Sequence, residues 1–421
     1  MSQRSWRLVA RRSAPFLVEP DWTSPLQEWD QESLVEVARG THRHVVRFLA
    51  TDDAIYALKE LPGNDAMREY RLLGAMAEDS LPVVERVGVV QRQELDDVLI
   101  TRYLDYSLPY RHLFSQRWGT LTATSQVTEG LLDALSLLLV RIHLAGYYWG
   151  DCSLNNTLLK RDGGALAAYV VDMETGEHHA MLSDGQRRED LEIAQLNFAG
   201  GLMDVQAELA IGDGLDPVEM ADQLDLRYQR LWTELTREEI VGVGERFKID
   251  QRIRRLNQLG FHVNEVEIES IPGTENGLMR LRTCVTEAGH HAARLTDLTG
   301  IRAQENQARL LLNDLASFRS WHENIEGRPI PQSVAAYRWL AEVFEPTIQA
   351  IPEELRDRLE PVEAFLDMLR HKWLLSEQAG EDVGIPQAVR HYMDSVLPAA
   401  PTERVVAADE AELDTGWIGF G

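Results

Sequence analysis

One loop of seven residues constrains this chain more than any other segment: Gly150-Asp151-Cys152-Ser153-Leu154-Asn155-Asn156. Before it, residues 128–145 are apolar on most faces and predict a buried helix. After it, residues 157–160 and 168–172 predict the two strands of a hairpin, because a Gly-rich turn separates them. The chain therefore carries a carboxylate and, a few positions later, an amide in a loop that joins a buried helix to a hairpin.

Two interpretations of Asp151 and Asn156 are open. Gly-Asp is a common turn dipeptide and Asn often caps a loop, so the pair alone fits a structural turn as well as a chemical site. The context of helix, loop and hairpin favours the chemical site. In that interpretation Asp151 orients or takes the proton of an acceptor hydroxyl, and Asn156 supplies an amide oxygen to a divalent metal ion.

Asp172 ends the second strand of the predicted hairpin, where a carboxylate is costly unless a cation offsets its charge. We therefore expect Asp172 to be a second metal ligand. Glu174 follows closely and is either a further ligand or a solvated turn residue, and the turn is the favoured interpretation.

Upstream of this region, short β-type runs alternate with turns. The pattern predicts five strands and one helix, at residues 34–38, 45–49, 55–59, 64–77 (the helix, capped by Asn64 or Asp65), 83–90 and 98–103. Five strands with a helix after the third describe a small, mostly antiparallel lobe. Residues 1–33 are rich in Pro, Trp and charge without a clear period, and predict an ordered but irregular arm.

Lys59 ends the third predicted strand, and Glu69 lies on the helix that follows. A Lys at this place could hold nucleotide phosphates, with Glu69 as the ion-pair partner that orients it. Glu60 and Glu78 are the rival partners. A Lys at a strand end is often simply solvated. The helix that follows Lys59 directly strengthens the interpretation of Lys59 as a phosphate contact.

Further nucleotide contacts are suggested by two turns. Gly40 and Thr41 could cover phosphates through backbone amides and a hydroxyl, but this single glycine fits a plain hairpin turn equally well. Tyr103 and Leu104 follow the fifth predicted strand, where a hinge would offer backbone groups to adenine. Asp190 either braces the Asp151 loop from below or is a surface Asp near a helix start.

Together Lys59, Asp151, Asn156 and Asp172 resemble the protein-kinase-like superfamily, most nearly the bacterial lipopolysaccharide (Kdo) kinases and the aminoglycoside phosphotransferases. Catalytic loops in those branches also favour Gly-Asp over His-Arg-Asp. The resemblance covers about residues 34–240. It implies an α+β, bilobal protein-kinase-like fold, with an antiparallel N-lobe sheet and a helical C-lobe, and it implies ATP and Mg²⁺ (or Mn²⁺) as cofactors.

The sequence departs from that family pattern after Asp172. It reads Asp172-Met173-Glu174-Thr175-Gly176 in place of Asp-Phe-Gly, and no Ala-Pro-Glu segment or long activation loop follows. These departures argue against a eukaryotic-type Ser/Thr kinase. The whole chain also resembles a bacterial family, common in actinobacteria, that joins such a lobe pair to a C-terminal domain of unknown function.

The remainder of the chain predicts a mainly helical region with one hairpin, formed by residues 262–269 and 279–285. The expected organisation is an arm (1–33), an N-lobe (34–105), a C-lobe (106–259), a mainly helical domain of unknown function (260–397) and a loose acidic tail (398–421).

The amino-acid composition limits the classes of partner and the cellular compartment that we expect for this protein. Acids outnumber bases 68 to 42, and the net charge of −26 disfavours binding to nucleic acid or to an anionic membrane. The two cysteines, Cys152 and Cys284, are too few for a disulfide framework and fit a reducing cytoplasm. The longest apolar run, residues 131–149, is broken by charges, so no transmembrane segment is predicted.

Three functions remain open. The favoured one is an ATP- and Mg-dependent phosphotransferase that moves the γ-phosphoryl group to a hydroxyl of a sugar, a lipid-linked sugar or another small metabolite. The second is a pseudokinase, a nucleotide-binding scaffold whose C-terminal domain recognises a protein partner. The third is nucleotidyl transfer on the same fold.

Overall fold

The computed structural model describes residues 6–10, 15–29, 34–35, 44–51, 54–109, 126–209, 216–241, 245–258, 261–270, 279–400 and 402–404. They form two compact units. The first contains the described chain up to Lys160 together with Ala168–Leu231, and the second contains Arg161–Ala167 and Trp232–Arg404. Among the described helices, none is both long enough and apolar enough to cross a membrane. The predicted domain boundaries stay predictions.

A six-stranded antiparallel sheet begins the first unit. Its strands are β1 (Trp6–Ala10), β2 (Leu34–Val35), β3 (Val46–Ala50), β4 (Ile55–Leu61), β5 (Arg86–Arg92) and β6 (Asp97–Arg102). Their order across the sheet is β1-β5-β6-β4-β3-β2, and helix α1 (Asp65–Glu78) follows β4. The predicted antiparallel lobe with its inserted helix is confirmed.

Strand β1 corrects the prediction of an irregular arm over residues 1–33. It pairs with β5 in a regular register in which Leu8 lies opposite Val90. Five residues beside an Arg-rich segment are too few to show a period of two, so the pairing partner decides their conformation. Residues 15–29 then pack on one face of the sheet, where Leu17, Trp22 and Leu26 are buried.

The two faces of β4 have different neighbours because alternate side chains of a strand point to opposite sides. Leu58 packs against the cluster that contains Trp22 and Leu26. Ile55 and Ala57 face the other side, with the buried side chains of Val46, Phe48 and Tyr103. Lys59 has the same parity as Ile55 and Ala57 and therefore shares their face.

The helical part of the first unit contains α2 (Gln126–Leu144), α3 (Asp184–Leu209) and most of α4 (Pro217–Thr236). Helix α2 buries leucines on most of its faces, as its sequence predicts. Five short strands accompany the helices: β7 (Leu108–Pro109), β8 (Tyr147–Tyr148), β9 (Thr157–Asp162), β10 (Ala165–Val170) and β11 (Glu177–His178). Strand β8 pairs with β11, and β9 lies between β10 and β7.

The second unit is mainly helical, as predicted, with a three-stranded sheet. The sheet is formed by β12 (Glu239–Val241), β13 (Phe261–Ser270) and β14 (Met279–Ala288). The helices are α5 (Arg246–Gln258), α6 (His290–Thr299), α7 (Glu305–Glu326), α8 (Gln332–Trp339), α9 (Glu345–Gln349), α10 (Pro361–Ala379) and α11 (Ile385–Ser395). The predicted hairpin is present as β13 and β14, and the short strand β12 extends it.

The tip of the β9–β10 hairpin belongs to the second unit. Asp162 accepts the backbone N–H groups of Asn306 and Gln307 at 3.1 and 2.6 Å, at the start of α7. Glu363 accepts the N–H of Gly163 at 2.9 Å and the side-chain amide of Gln307 at 2.8 Å. The two bonds to Asp162 satisfy backbone N–H groups at the start of α7 that have no partner within the helix.

The tail predicted at residues 398–421 is not loose at its beginning. Leu397–Ala399 forms a 3₁₀ turn. Glu403 is buried and accepts a hydrogen bond from Arg161 Nε at 2.5 Å, and Arg404 pairs with Asp357. Residues 405–421, with the acidic run, lie outside the described residues.

Candidate functional site

Lys59 lies among three carboxylates. Its Nζ donates to Asp172 Oδ2, and it lies 3.3 Å from Glu69 Oε2 and 3.2 Å from Glu174 Oε2. Strand β4 supplies the Lys, α1 supplies Glu69, and the segment after β10 supplies the other two. Asp172 itself lies just beyond β10, which ends at Val170 and not at Asp172 as predicted.

Glu69 is fully buried and connects α1 to the segment that contains Asp172. Its Oε1 accepts the backbone N–H of Met173 at 3.1 Å, and its Oε2 faces Lys59. The rival partners are engaged elsewhere: Glu60 pairs with Arg92 at 2.7 Å, and Glu78 lies near Arg86.

The charges of this cluster shift the pKa values of its members. Burial by itself lowers the pKa of Lys59, but the carboxylates of Glu69, Asp172 and Glu174 outweigh burial and hold that pKa above its usual value. Burial and the neighbouring charge of Asp172 raise the pKa of Glu69, and Lys59 opposes that rise. Lys59 is therefore held as a cation, and the Glu69 carboxyl protonates more readily than a solvated glutamate does.

Asp151 is held by two amides. Asn197 Nδ2 donates to Asp151 Oδ1 at 2.9 Å, and Asn156 Nδ2 donates to Asp151 Oδ2 at 3.1 Å. Asn156 also donates to the Asp151 carbonyl at 3.0 Å, which closes the loop on itself. Since the nitrogen of the Asn156 amide faces Asp151, its oxygen is the atom left to coordinate a metal ion.

Asp190 braces the loop from below, which selects the first of its two interpretations. It is fully buried and accepts the backbone N–H groups of Trp149 at 2.7 Å and Gly150 at 2.8 Å. Its Oδ2 also lies 3.0 Å from His143 Nε2, and His143 Nδ1 lies 2.8 Å from the Tyr228 hydroxyl. The carboxylate has no solvent contact, so these bonds replace its hydration.

The loop and the Asp172 segment are tied to each other by Trp149. Its indole N–H donates to the Asp172 carbonyl at 2.8 Å, and its own carbonyl accepts from Thr175 Oγ1 at 2.8 Å. Gly150 follows with φ +75°, a conformation that favours glycine over residues with a Cβ. Cys152 is buried beyond it, and burial with the charges of Asp190 and Asp151 raises the pKa of its thiol, which disfavours the thiolate.

A cavity of about 350 Å³ collects most of these groups. Lys59, Asp151, Asn156, Asp172 and Glu174 line one part of it. The α3 residues that line the opposite part are Leu196, Asn197, Gly200, Gly201 and Asp204. The structure therefore brings four predicted site residues, Lys59, Asp151, Asn156 and Asp172, around one space.

The predicted nucleotide contacts comprise Gly40 and Thr41 for the phosphates and Tyr103 and Leu104 for the base. Gly40 and Thr41 lie outside the described residues. The backbone N–H of Tyr103 donates to the Ile55 carbonyl at 2.8 Å, so it is not available to a base. Tyr103 and Leu104 do not line the 350 Å³ cavity. The Tyr103 ring instead packs edge-on against Phe48.

The donor atoms in the cavity suit a hard divalent cation. Asp172, Glu174 and Asn156 line the cavity with two carboxylates and an amide. Carboxylate oxygens of Asp172 and Glu174 lie within 4.8 Å of each other and of Glu69, which is buried behind the cavity wall. Three carboxylates face the single ammonium of Lys59, so when ionised they leave an excess of negative charge. Mg²⁺ or Mn²⁺ fits this donor set.

Glu174 is not the solvated turn residue favoured from the sequence. Its Oε2 lies 3.2 Å from Lys59 Nζ and 3.1 Å from His44 Nε2, and its side chain is 17% exposed. The sequence analysis did not predict Asn197 as a site residue. The helical spacing could have indicated it, since Asn197 lies two helical turns after Asp190 and therefore on the same face of α3. His44 carried no sequence signal.

The sheet carries the Lys59–Glu69 pair, the helices brace the loop that contains Asp151 and Asn156, and Asp172 follows this loop in the chain. This arrangement defines a protein-kinase-like fold.

Comparisons with known proteins agree with that class. Residues 38–207 match the model of the lipopolysaccharide kinase (Kdo/WaaP) family, and residues 230–397 match a domain of unknown function, DUF4032. The predicted resemblance to both is confirmed. Comparison with curated proteins finds no match.

Two solved structures are similar to parts of the chain. One is WaaP in complex with acyl carrier protein, at 16% identity and a TM-score of 0.37, with 60% of this chain and 99% of that chain covered. The other is the BubR1 kinase domain, at 13% identity and a TM-score of 0.30, with 37% of this chain and 52% of that chain covered.

Proposed function

We propose that this chain is an ATP- and Mg²⁺-dependent phosphotransferase that moves the γ-phosphoryl group of ATP to a hydroxyl of a sugar, a lipid-linked sugar or another small metabolite. One observation carries the proposal. A cation on a strand, a carboxylate held by two amides, and oxygen donors suited to a divalent metal line one cavity of about 350 Å³.

The nucleotide end of the proposed site lies on the inner face of the sheet. Lys59 would contact the phosphates, since its raised pKa keeps it charged and Glu69 orients it. Val46, Phe48 and Ala57 form an apolar surface on the same face, and the register places Val46 opposite Lys59. Such a surface suits the flat base of a nucleotide.

The acceptor end lies along α3. Asn197 and Asp204 are hydrogen-bonding groups on this wall of the cavity, and a sugar has hydroxyls to pair with them. Gly200 leaves room beside them, because nothing lies within 4 Å of where its Cβ would be. Cavities of this size take small ligands, so a small acceptor fits better than a folded protein.

In the reaction we propose, the acceptor oxygen attacks the γ-phosphorus and the bond from that phosphorus to the β–γ bridging oxygen breaks. ADP leaves, and the proton of the acceptor hydroxyl passes to the Asp151 carboxylate. Asn197 and Asn156 hold that carboxylate in place for the transfer. A divalent metal held by Asp172 and Asn156 would neutralise phosphate charge.

The test follows transfer of labelled phosphate from ATP to a panel of sugars and glycolipids, together with ATP hydrolysis, in the presence of Mg²⁺ or Mn²⁺. We expect Asp151→Asn to lower turnover about 10²- to 10⁴-fold, because the proton acceptor is removed. Nucleotide should still raise the melting temperature of this variant, since Lys59 and Asp172 remain. Lys59→Met should lower both turnover and the nucleotide-induced shift.

Asp222→Asn is the matched control, because Asp222 is an exposed carboxylate on α4 away from the cavity. Turnover that is equal in the wild type and in Asp151→Asn would refute the phosphotransferase. Nucleotide binding without transfer or hydrolysis would favour the pseudokinase. The two-cysteine composition supports a cytoplasmic reaction, and recognition of a protein partner by the second unit remains a prediction.

A further inference from the structure

A second and larger cavity lies in the first unit, beside α1. Its volume is about 900 Å³, and its wall includes Arg7 and Val9 of β1 and Gln91 of β5. The remaining wall comes from one side of α1, with Arg68 and Arg71, and from the segment that contains Gly176 and His178. None of the groups assigned to the phosphotransferase lines this groove.

The charge of the groove is opposite to that of the protein. Arg7, Arg68 and Arg71 all line it, although the chain as a whole has a net charge of −26. Within the described part of the chain, no carboxylate lies at ion-pair distance from any of the three guanidinium groups. Among the described residues of the wall, the one acid is Glu177, which pairs with His179 at 3.1 Å.

Some other arginines of the same lobe have acidic partners, although Arg47 donates to the backbone carbonyls of Leu26 and Gln27 instead. Arg92 pairs with Glu60 at 2.7 Å, and Arg86 lies 3.5 Å from Glu78. Arg7, Arg68 and Arg71 have no such partner among the residues that the structure describes. On one concave surface they repel one another unless an anion offsets their charge. Arg68 is also fixed in place, because its Nη2 donates to the Gly176 carbonyl at 2.8 Å.

The groove has an apolar side as well. Val9, Met67, Leu72 and Ala75 also line its wall, and Asn64 and Gln91 add amides. Guanidinium groups bind phosphate oxygens through paired N–H donors, and they do so better than an ammonium of the same charge. The ligand chemistry that matches this wall is a phosphate group attached to an apolar body.

We propose that this groove is a binding site for a phosphate-bearing ligand, separate from the nucleotide site. Arg7 and Arg71 bind the phosphate oxygens from the two sides of the groove, and Arg68 contributes from its fixed position. The apolar side chains of α1 contact the rest of the ligand. The phosphate comes either from a soluble phosphate ester or from the headgroup of a lipid.

The soluble arm of the test is calorimetric titration of pyrophosphate into the full chain, at low salt with EDTA present. Lys59→Met serves as the background that removes binding at the nucleotide site. We expect pyrophosphate to bind this background, and we expect Arg7→Ala with Arg71→Ala to weaken that binding at least tenfold. Arg230→Ala should leave it unchanged, because Arg230 is exposed on α4 and outside the groove.

The lipid arm measures co-sedimentation with vesicles that contain phosphatidic acid, against vesicles of neutral lipid. Binding that the double variant loses and Arg230→Ala keeps supports the site, whether it occurs with pyrophosphate, with vesicles or with both. The proposal is overturned if neither probe binds the Lys59→Met protein, or if Arg230→Ala weakens binding as much as the double variant does. Unchanged thermal unfolding of the variants shows that they fold.

Discussion

At the scale of single residues, burial decides which carboxylate serves Lys59. The sequence predicts Glu69 as the ion-pair partner of Lys59, with Glu60 and Glu78 as rivals. Glu60 is taken by Arg92 and by the backbone N–H of Leu26, which donates to it at 2.9 Å. Glu69 reaches Lys59 from a fully buried position on α1. The sequence therefore favoured Glu69 but left two rivals, and packing excludes them because it engages their carboxylates elsewhere.

Asp190 shows the same division. The sequence left it as either a brace or a surface residue, because an Asp near a helix start is common on surfaces. Its burial and its bonds to Trp149, Gly150 and His143 exist only when α2, α3 and the loop are assembled. A buried carboxylate of this kind holds its neighbours strongly, since each bond replaces water that it has lost.

We expect Asp190→Ala to lower the free energy of unfolding by about 3 kcal/mol or more, because two backbone N–H groups and His143 lose a buried acceptor. Urea unfolding followed by circular dichroism measures this change. Where the variant still folds, its turnover should also fall, since the loop that holds Asp151 loses its anchor.

Glu189→Gln is the control for that substitution, because Glu189 is the exposed neighbour on the same helix. It should change the unfolding free energy by less than about 0.5 kcal/mol. A loss in Asp190→Ala no larger than in Glu189→Gln would contradict the bracing role.

At the scale of elements, a strong apolar period was sufficient to predict helices, whereas the shortest strands could not be predicted from the sequence. The apolar pattern of α2 and the three-residue spacing of α1 predict helices that the structure contains. Strands β1 and β12 were missed, because five and three residues cannot show a period and depend on β5 and β14 for their hydrogen bonds.

Helix α6 of the second unit begins with a cap that comes from another element. Glu305, at the start of α7, accepts the backbone N–H groups of His291 at 2.9 Å and Ala292 at 3.1 Å, and it also faces His291 Nδ1. Burial alone raises the pKa of Glu305, but these hydrogen bonds from His291 and Ala292 lower it below the usual value. The ionised form is therefore the one that the fold stabilises.

We expect this stabilisation to be complete above the unfolded pKa of about 4.5 and to decrease as pH falls through the lowered folded pKa. Glu305→Gln should lower the unfolding free energy by about 1–2 kcal/mol at neutral pH and much less in acid. Urea unfolding at neutral and acidic pH measures the difference. Glu353→Gln, an exposed carboxylate of the same unit, is the control. An equal effect of Glu305→Gln at both pH values would contradict the cap.

At the scale of the whole molecule, the net charge of −26 makes the folded state repel itself. We expect that raising NaCl from about 0.01 M to about 0.15 M, which shortens the Debye length from about 30 to about 8 Å, raises the melting temperature by about 2 °C. Scanning fluorimetry measures the shift. A matched series in sucrose, which does not screen charge, is the control. A melting temperature that falls with salt would show that ion pairs outweigh the repulsion.

The sequence by itself determined the class of fold and the chemistry of the candidate site. Periodic strands and a buried helix can be predicted from the sequence, and they place four residues of characteristic type and spacing: Lys59, Asp151, Asn156 and Asp172. Tertiary structure alone decided which groups meet. Glu174 and Asn197 joined the site, Asp190 became its brace, and Arg7 of β1 came to the same groove as Arg68 and Arg71 of α1. The physical reason is that the local sequence pattern of a segment indicates which of its side chains are buried. Contacts between side chains that are distant in sequence depend instead on how several segments pack together.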